Sequence, residues 1–234
     1  MERFVVKYKG FLFDLDGVLI DSSKIHFVGW KKVLNRLGKD IDYETFRTAC
    51  FGKRGVDTLE LFFPKGKFSD EEVKRLSDEV DSNFVNTVAE VGVPINGALE
   101  FLNSLKRSGE RIALATSAPR QNVDAFLDAF RLRGVFDAEV CGDDVSKGKP
   151  DPEVFVKAAS LLGEDPERCV VFEDSLPGVT AAKTAGAACV ALLTTTTADV
   201  LKAADYFVKD FSDETLKRII RPEESRGPKV REKV

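Results

Sequence analysis

The sequence predicts an α/β fold: a doubly wound parallel sheet core with an α-helical domain inserted close to the N-terminal end. Three observations carry this prediction. Phe11-Leu12-Phe13 is a short apolar run of the kind buried on both faces of a parallel sheet. Roughly 70 residues with only helical patterning follow, about the size of a small bundle. From Val93 onward, short β-branched runs alternate with helices, the order that builds a parallel sheet covered on both faces.

The first strand runs into Asp14-Leu15-Asp16-Gly17-Val18. Ser22 or Ser23 then caps a helix with Phe27, Trp30, Leu34 and Leu37 on one face, ending near Gly38. Helices are expected over 43–50 and 56–63. Ser69-Asp70-Glu71-Glu72 is a capping box, opening a long helix with Val73, Leu76, Val80, Phe84 and Val88 in one stripe. Val93-Pro94-Ile95-Asn96-Gly97 reads as the linker back to the core. Beyond it the pattern gives helix 97–107, strand 111–115, a helix from Pro119, strand 138–141 and helix 152–162. Strand 169–172, helix 177–185 and strand 188–192 complete it. The division expected is a core of residues 1–20 and 93–220, a helical domain of 21–92 and a flexible tail of 221–234. That tail holds Pro, Gly and mostly charged side chains, with only two valines as apolar anchors.

Composition narrows the function classes. With 43% hydrophobic residues among 234, the chain can bury a sizeable core. Its net charge of -4 argues against a nucleic-acid or anionic-membrane surface. Met1 to Gly10 lacks the apolar centre of a signal peptide and no apolar run is of membrane length, so a soluble cytoplasmic protein is expected. Cys50, Cys141, Cys169 and Cys189 lie far apart, as reduced core thiols do, and the single histidine, His26, excludes chemistry that needs several imidazoles.

Four strand ends carry candidate chemistry, each with a plain structural alternative. Asp14 and Asp16 stand where open α/β sheets bind ligands, and a carboxylate pair there suits one group attacking and the other moving a proton. A calcium loop is excluded, because counting from Asp14 puts Ile25 where a bidentate Glu belongs. Thr116 and Ser117 offer hydroxyls to a phosphoryl oxygen, or cap the next helix. In Lys147-Gly148-Lys149-Pro150-Asp151-Pro152, which is not a Walker loop, Lys149 screens two anions or merely leads into a helix. Glu173 and Asp174 suit magnesium, or serve as turn residues.

Taken in order, these stretches resemble the four motifs of the haloacid dehalogenase-like hydrolases. The last is Glu173-Asp174 followed by Ser-x-x-Gly-x-x-Ala-Ala-x-x-Ala-Gly. The resemblance spans about residues 10 to 210, in the branch holding β-phosphoglucomutase and phosphoglycolate-type phosphatases. It implies a Rossmann-like core with a helical cap. Asp14 would be the nucleophile that becomes an aspartyl phosphate and Asp16 the acid and base. Thr116 and Lys149 would hold the phosphate, and Ser117 would help bind the substrate. Mg2+ would be bound by Asp14, the backbone carbonyl of Asp16 and Asp174, with Glu173 close by or acting through water. The dehalogenase reaction is disfavoured, because those enzymes lack the second aspartate that Asp16 supplies.

In the cap, His26 stands where β-phosphoglucomutase-like members carry a histidine facing the site, though it could equally lie on the helix surface beside Trp30. Phe51-Gly52-Lys53-Arg54-Gly55 resembles the substrate-specificity loop, where Lys53 or Arg54 would meet an anionic substrate. The β-phosphoglucomutases carry a basic residue just before that loop's glycine and an arginine three residues after it; Phe51 and Gly55 occupy those places here. The expectation is a magnesium-dependent phosphatase of a small phosphorylated metabolite, acting as a monomer or weak dimer. The alternatives are a phosphomutase and a catalytically silent binding protein.

Overall fold

The computed structural model describes residues 7–51 and 54–220. Six parallel strands form one sheet: β1 (Gly10–Phe13), β4 (Arg111–Ala115), β5 (Ala138–Val140), β6 (Cys169–Glu173), β7 (Ala188–Leu192) and β8 (Tyr206–Val208). Their spatial order is β5-β4-β1-β6-β7-β8. The chain builds outward from β1 through β4 to β5, then crosses back to β6 on the other side. The C-terminal end of β1 is therefore the switch point, where parallel sheets open a ligand crevice.

The strand residues alternate between two cores. Phe11, Phe13, Ile112, Leu114, Val170, Phe172, Val190 and Leu192 face one helical layer, while Leu12, Ala113, Ala115, Val171, Cys189 and Ala191 face the other. On the first side Phe13 stacks on Phe172 at 4.5 Å between centroids, with Phe101 and Phe211 closing around them. Burying each of these rings contributes about 2 kcal/mol or more, so the base of the crevice is stiff. Covering helices are α5 (Ala98–Arg107), α6 (Arg120–Ala129), α7 (Glu153–Leu161) and α8 (Leu176–Thr184).

Between β1 and β4 stands the helical block: α1 (Ser23–Arg36), α2 (Tyr43–Ala49), α3 (Gly55–Glu60) and α4 (Asp70–Val91). Ser69 and Glu72 make the expected capping box at the start of α4. The block has its own cluster of Trp30, Val33, Leu34, Phe46, Leu59, Leu76 and Val80. The single stripe read along α4 divides between two cores, however. Leu76 and Val80 belong to the block, whereas Phe84 and Val88 join the sheet core, beside Val123 and Phe126 of α6.

Several elements depart from the sequence reading. The chain enters and leaves the block through an antiparallel pair of two-residue strands, β2 (Ile20–Asp21) and β3 (Val93–Pro94), too short for any periodicity to announce. β8 and α9 (Thr215–Ile220) also lie where no element was expected. The expected tail of 221–234 and Lys53 lie outside the described residues. Cys50, Cys141, Cys169 and Cys189 are buried, and no disulfide joins them. Among the described residues no helix is long and apolar enough to cross a membrane.

Candidate active site

Three strand ends converge at the switch point. Asp14 continues the β1 ladder by donating its N–H to the Phe172 carbonyl at 3.1 Å, and Thr116 does the same from the end of β4 to Val140 at 2.9 Å. Glu173 ends β6 and Asp174 follows it. One carboxylate oxygen from each of Asp14, Glu173 and Asp174 lies within 4.8 Å of the others, and all three residues are buried. Lys149, brought in by the loop before α7, places its Nζ 2.9 Å from Asp14 Oδ1 and 2.7 Å from Glu173 Oε1.

Glycines make this crowding possible. Gly17 has φ +72°, and a Cβ there would overlap the Asp174 carboxylate. Gly178, in the first turn of α8, lies directly against the Glu173 carboxylate. Glu173 is held from all sides: Oε1 takes Lys149, and Oε2 accepts from the N–H groups of Asp174 at 2.8 Å and Ser175 at 2.9 Å and from the Ser175 hydroxyl at 3.0 Å. Asp174 Oδ2 accepts from Thr195 Oγ1 at 2.6 Å.

The electrostatics fit a cation-binding site. Burial first, then Glu173 and Asp16, push Asp14 up to about 7 against the pull of Lys149. Burial, Glu173 and Asp14 raise Asp174 well above the ordinary carboxylate range. Burial would lower the Lys149 ammonium, but Asp14 and Glu173 outweigh it and raise it. One lysine thus faces three carboxylates, and Asp14 Oδ1 accepts no well-directed hydrogen bond despite the short ion pair. A hard divalent cation with oxygen ligands is the group such a donor set takes. Asp14 and Asp174 are better placed to bind it than Glu173, whose oxygens are already engaged.

Asp16 turns away from this cluster. Its Oδ1 accepts from the Ser22 hydroxyl and lies 3.5 Å from His26 Nε2. Burial works to raise Asp16, yet the imidazole of His26 and the hydroxyl of Ser22 prevail and hold it below its ordinary range. Burial likewise opposes charge on His26, and Asp16 and Asp81 overcome it. His26 lies against Asp16, with its ring 5.5 Å from that of Phe84. Ser22, expected as a helix cap, spends its hydroxyl on Asp16 and makes no side-chain cap.

Thr116 is 1% exposed and its Oγ1 accepts from the Ala118 N–H at 3.1 Å, leaving its proton free to donate. Ser117, next to it, is exposed. Lys149 lies against Asp14 and Glu173, and its loop also leads into α7, where Asp151 accepts from the Glu153 N–H. Arg54 is not brought to the acidic cluster: it makes a bidentate pair with Asp57 at 2.8 and 2.9 Å on the surface. The sequence reading missed Thr195, one of four consecutive threonines, and Asp81 and Asn122, which carry no local motif.

A parallel α/β core whose three strand ends and one lysine loop surround a buried acidic cluster defines a class of hydrolases. The family model for haloacid dehalogenase-like hydrolases matches residues 8–186. The chain belongs to this family and is an enzyme of that type. It is 34% identical over 206 residues to validoxylamine A 7'-phosphate phosphatase from Streptomyces hygroscopicus subsp. limoneus, covering 88% of this chain and 95% of that one. It is also 34% identical over 177 residues to phosphorylated carbohydrates phosphatase from Thermotoga maritima, covering 75% and 80%. A variant of CbbY from Rhodobacter sphaeroides, in complex with xylulose-(1,5)bisphosphate, superposes with a TM-score of 0.76 at 29% identity, covering 88% of this chain and 95% of that one.

Proposed function

We propose that the protein is a magnesium-dependent phosphatase that hydrolyses a small phosphorylated metabolite through an aspartyl phosphate on Asp14. The observation carrying this reading is the division of two carboxylates two positions apart. Asp14 faces Lys149 and the acidic cluster, while Asp16 faces Ser22 and His26. One is set beside a cation for attack and the other beside proton partners for transfer. That both relatives named above are phosphatases supports the reaction class.

In the first step an Asp14 oxygen attacks phosphorus, the ester P–O bond breaks, and the leaving oxygen takes a proton from Asp16. In the second, water gives a proton to Asp16 and attacks phosphorus, the P–O bond to Asp14 breaks, and inorganic phosphate leaves. Lys149 and the Thr116 hydroxyl hold the phosphoryl oxygens, with Ser117 adjacent. Asp14, Asp174 and the backbone carbonyl of Asp16 would hold Mg2+, with Glu173 supporting them or acting through water. When bound, the ion neutralises charge so that two anions can approach. Asp16 rests as the carboxylate, the form needed for the second step, and must gain its proton as substrate binds.

Residues 21–92 act in this reading as a cap that excludes bulk water, supported by their separate cluster and the paired strands at their root. His26 belongs to this cap, and Lys53 and Arg54 to its loop. The test is phosphate release from phosphorylated metabolites and phenyl phosphate, with and without magnesium, by wild type and Asp14→Asn. Asp14→Asn turnover within several-fold of wild type would sink the nucleophile assignment.

A further inference from the structure

The helical block packs on the core through α4 and α6, and beside its root it leaves a crevice of about 340 Å³. This is the size of a small-metabolite site. Tyr43 and Arg47 of α2, with Phe51 after it, form the wall on the block. Leu193, Thr194 and Thr195 after β7 and Lys209 after β8 form the wall on the core, while Asp21 of β2 and Ile95 and Asn96 after β3 close the root. Asp14, Asp16, His26, Thr116 and Lys149 take no part in this lining. Gly17 and Thr195 do, and each also meets Asp174: Thr195 donates to its carboxylate at 2.6 Å, and a Cβ on Gly17 would overlap it. The crevice is therefore separate from the reacting groups but shares a wall with the acidic cluster.

The hydroxyl and amide protons of this lining are already spent. Thr194 donates to the Gly17 carbonyl at 2.6 Å, and Thr195 to Asp174. The Ser23 hydroxyl donates to Asp21, so Tyr43, 2.7 Å from it, gives its own proton to Ser23. Asn96 donates to Asp210 at 3.3 Å and to Ser212 at 3.0 Å, and Asp210 also accepts from the Ser212 N–H at 2.8 Å. Two cations are the exception. Arg47 pairs with Glu44 of its own helix at 3.6 Å, an exposed contact of the kind that holds a side chain weakly. Lys209 bonds through its backbone N–H, and its ammonium has no ion pair among the described residues. The acids of the lining thus have their donors, and the unspent charge is positive, one cation from the block and one from the core. Phe51, Ile95 and Leu193 supply apolar surface.

We propose that this crevice is a regulatory site for a small organic dianion, which takes Arg47 from the block and Lys209 from the core and lays its carbon body on Phe51, Ile95 and Leu193. One ligand holding both walls keeps them at one spacing, whereas the cap of the reading above must open and close in every cycle. The bound dianion therefore lowers turnover while leaving the phosphate site free. Its effect on turnover rests on the phosphatase reading; its binding does not.

Phthalate and succinate serve as dianions and benzoate as a monoanion, titrated calorimetrically into the magnesium-loaded protein. At least one dianion should bind with a Kd of about 1 mM or tighter, and benzoate roughly tenfold more weakly than it. Arg47→Gln and Lys209→Gln, both at exposed positions, should each weaken that dianion roughly tenfold. Their turnover of phenyl phosphate without it should stay within about twofold of wild type. In wild type the dianion should lower kcat and leave KM for phenyl phosphate unchanged. A competitive pattern, an unchanged kcat, binding unmoved in both variants, or no saturable binding of either dianion overturns the proposal. Dianion binding as expected without phosphate release from any substrate would instead defeat the phosphatase reading alone.

Discussion

Glu173 clamps Lys149: its Oε1 lies 2.7 Å from the ammonium, while Oε2 accepts from the backbone of Asp174 and Ser175. Glu173 therefore positions two neighbours, whereas Asp174 has no such web, only Thr195 and the buried acids. Glu173→Ala should destabilise the fold by ~3 kcal/mol, since it leaves a buried ammonium short of one partner and strips an acceptor from two N–H groups. Asp174→Ala should cost far less stability, because it removes a carboxylate that burial already disfavours, yet raise the magnesium needed for half-maximal activity sharply. Urea denaturation beside magnesium titrations separates the two, and equal effects of both variants on both measurements would contradict the division.

Gly178 offers a second check on the same carboxylate. A Cβ there would overlap Glu173 itself, whose fixed position leaves it nowhere to move. Gly178→Ala, a mild change in an ordinary helix, should here cost ~1–3 kcal/mol and reduce turnover together with stability. Unfolding at wild-type urea concentrations with full activity would show that Glu173 is free to shift.

Metal and pH are linked through Asp14 and Asp174. Both pKa values are raised in the folded, metal-free protein, Asp14 to about 7. A raised carboxyl holds its proton in the folded state while the unfolded state releases it. Stability is thus fully present below the ordinary carboxylate pKa and is lost as pH rises to the folded value. His26, also raised, acts in the same direction above its ordinary value of 6.5. Lowered Asp16 matters only near and below 3.8, beneath this window. With chelator present, the melting temperature should fall between pH 5 and pH 8, by roughly 3 °C for each kcal/mol lost. Added magnesium should restore more stability at pH 8 than at pH 5. A chelated protein that melts higher at pH 8 would contradict the linkage.

What the sequence could reveal follows from where each signal lies. Asp14, Asp16, Thr116, Glu173 and Asp174 sit at or just past the ends of short apolar strands, so local composition marks both the strand and its polar end, while Lys149 is marked by its Pro-flanked loop. The interface between block and core left no such mark. Phe84 and Val88 continue the α4 stripe of Leu76 and Val80 without a break, and only tertiary packing sends them to a different core. Asp81 and Asn122 look like ordinary solvated helix residues until two helices separated in the chain by β3, α5 and β4 are brought together. Ser22 stands at the N-cap position of α1, one of the two serines expected there, but its hydroxyl goes to Asp16 instead of the helix backbone. Tyr206–Val208 is a three-residue edge strand, too short to register as alternation.

The last prediction separates phosphatase from mutase. A mutase must shield its phospho-aspartate from water while a bisphosphate intermediate turns around, and so needs cationic cap side chains on the remote phosphate. At the two places where the β-phosphoglucomutases carry a basic residue and an arginine, this chain is apolar or bare. The Phe51 ring lies 6.0 Å from that of His26 and 6.2 Å from that of Phe46, and a Cβ on Gly55 would collide with the Ser77 hydroxyl. Arg54, between them in sequence, is committed to Asp57. The expected outcome is net release of inorganic phosphate from a monophosphate, with little interconversion of β-glucose 1-phosphate and glucose 6-phosphate. Following that pair with a trace of the bisphosphate and magnesium decides the matter. Isomerisation much faster than phosphate release would replace the phosphatase reading with the mutase one, and would require that a cap cation other than these grip the second phosphate.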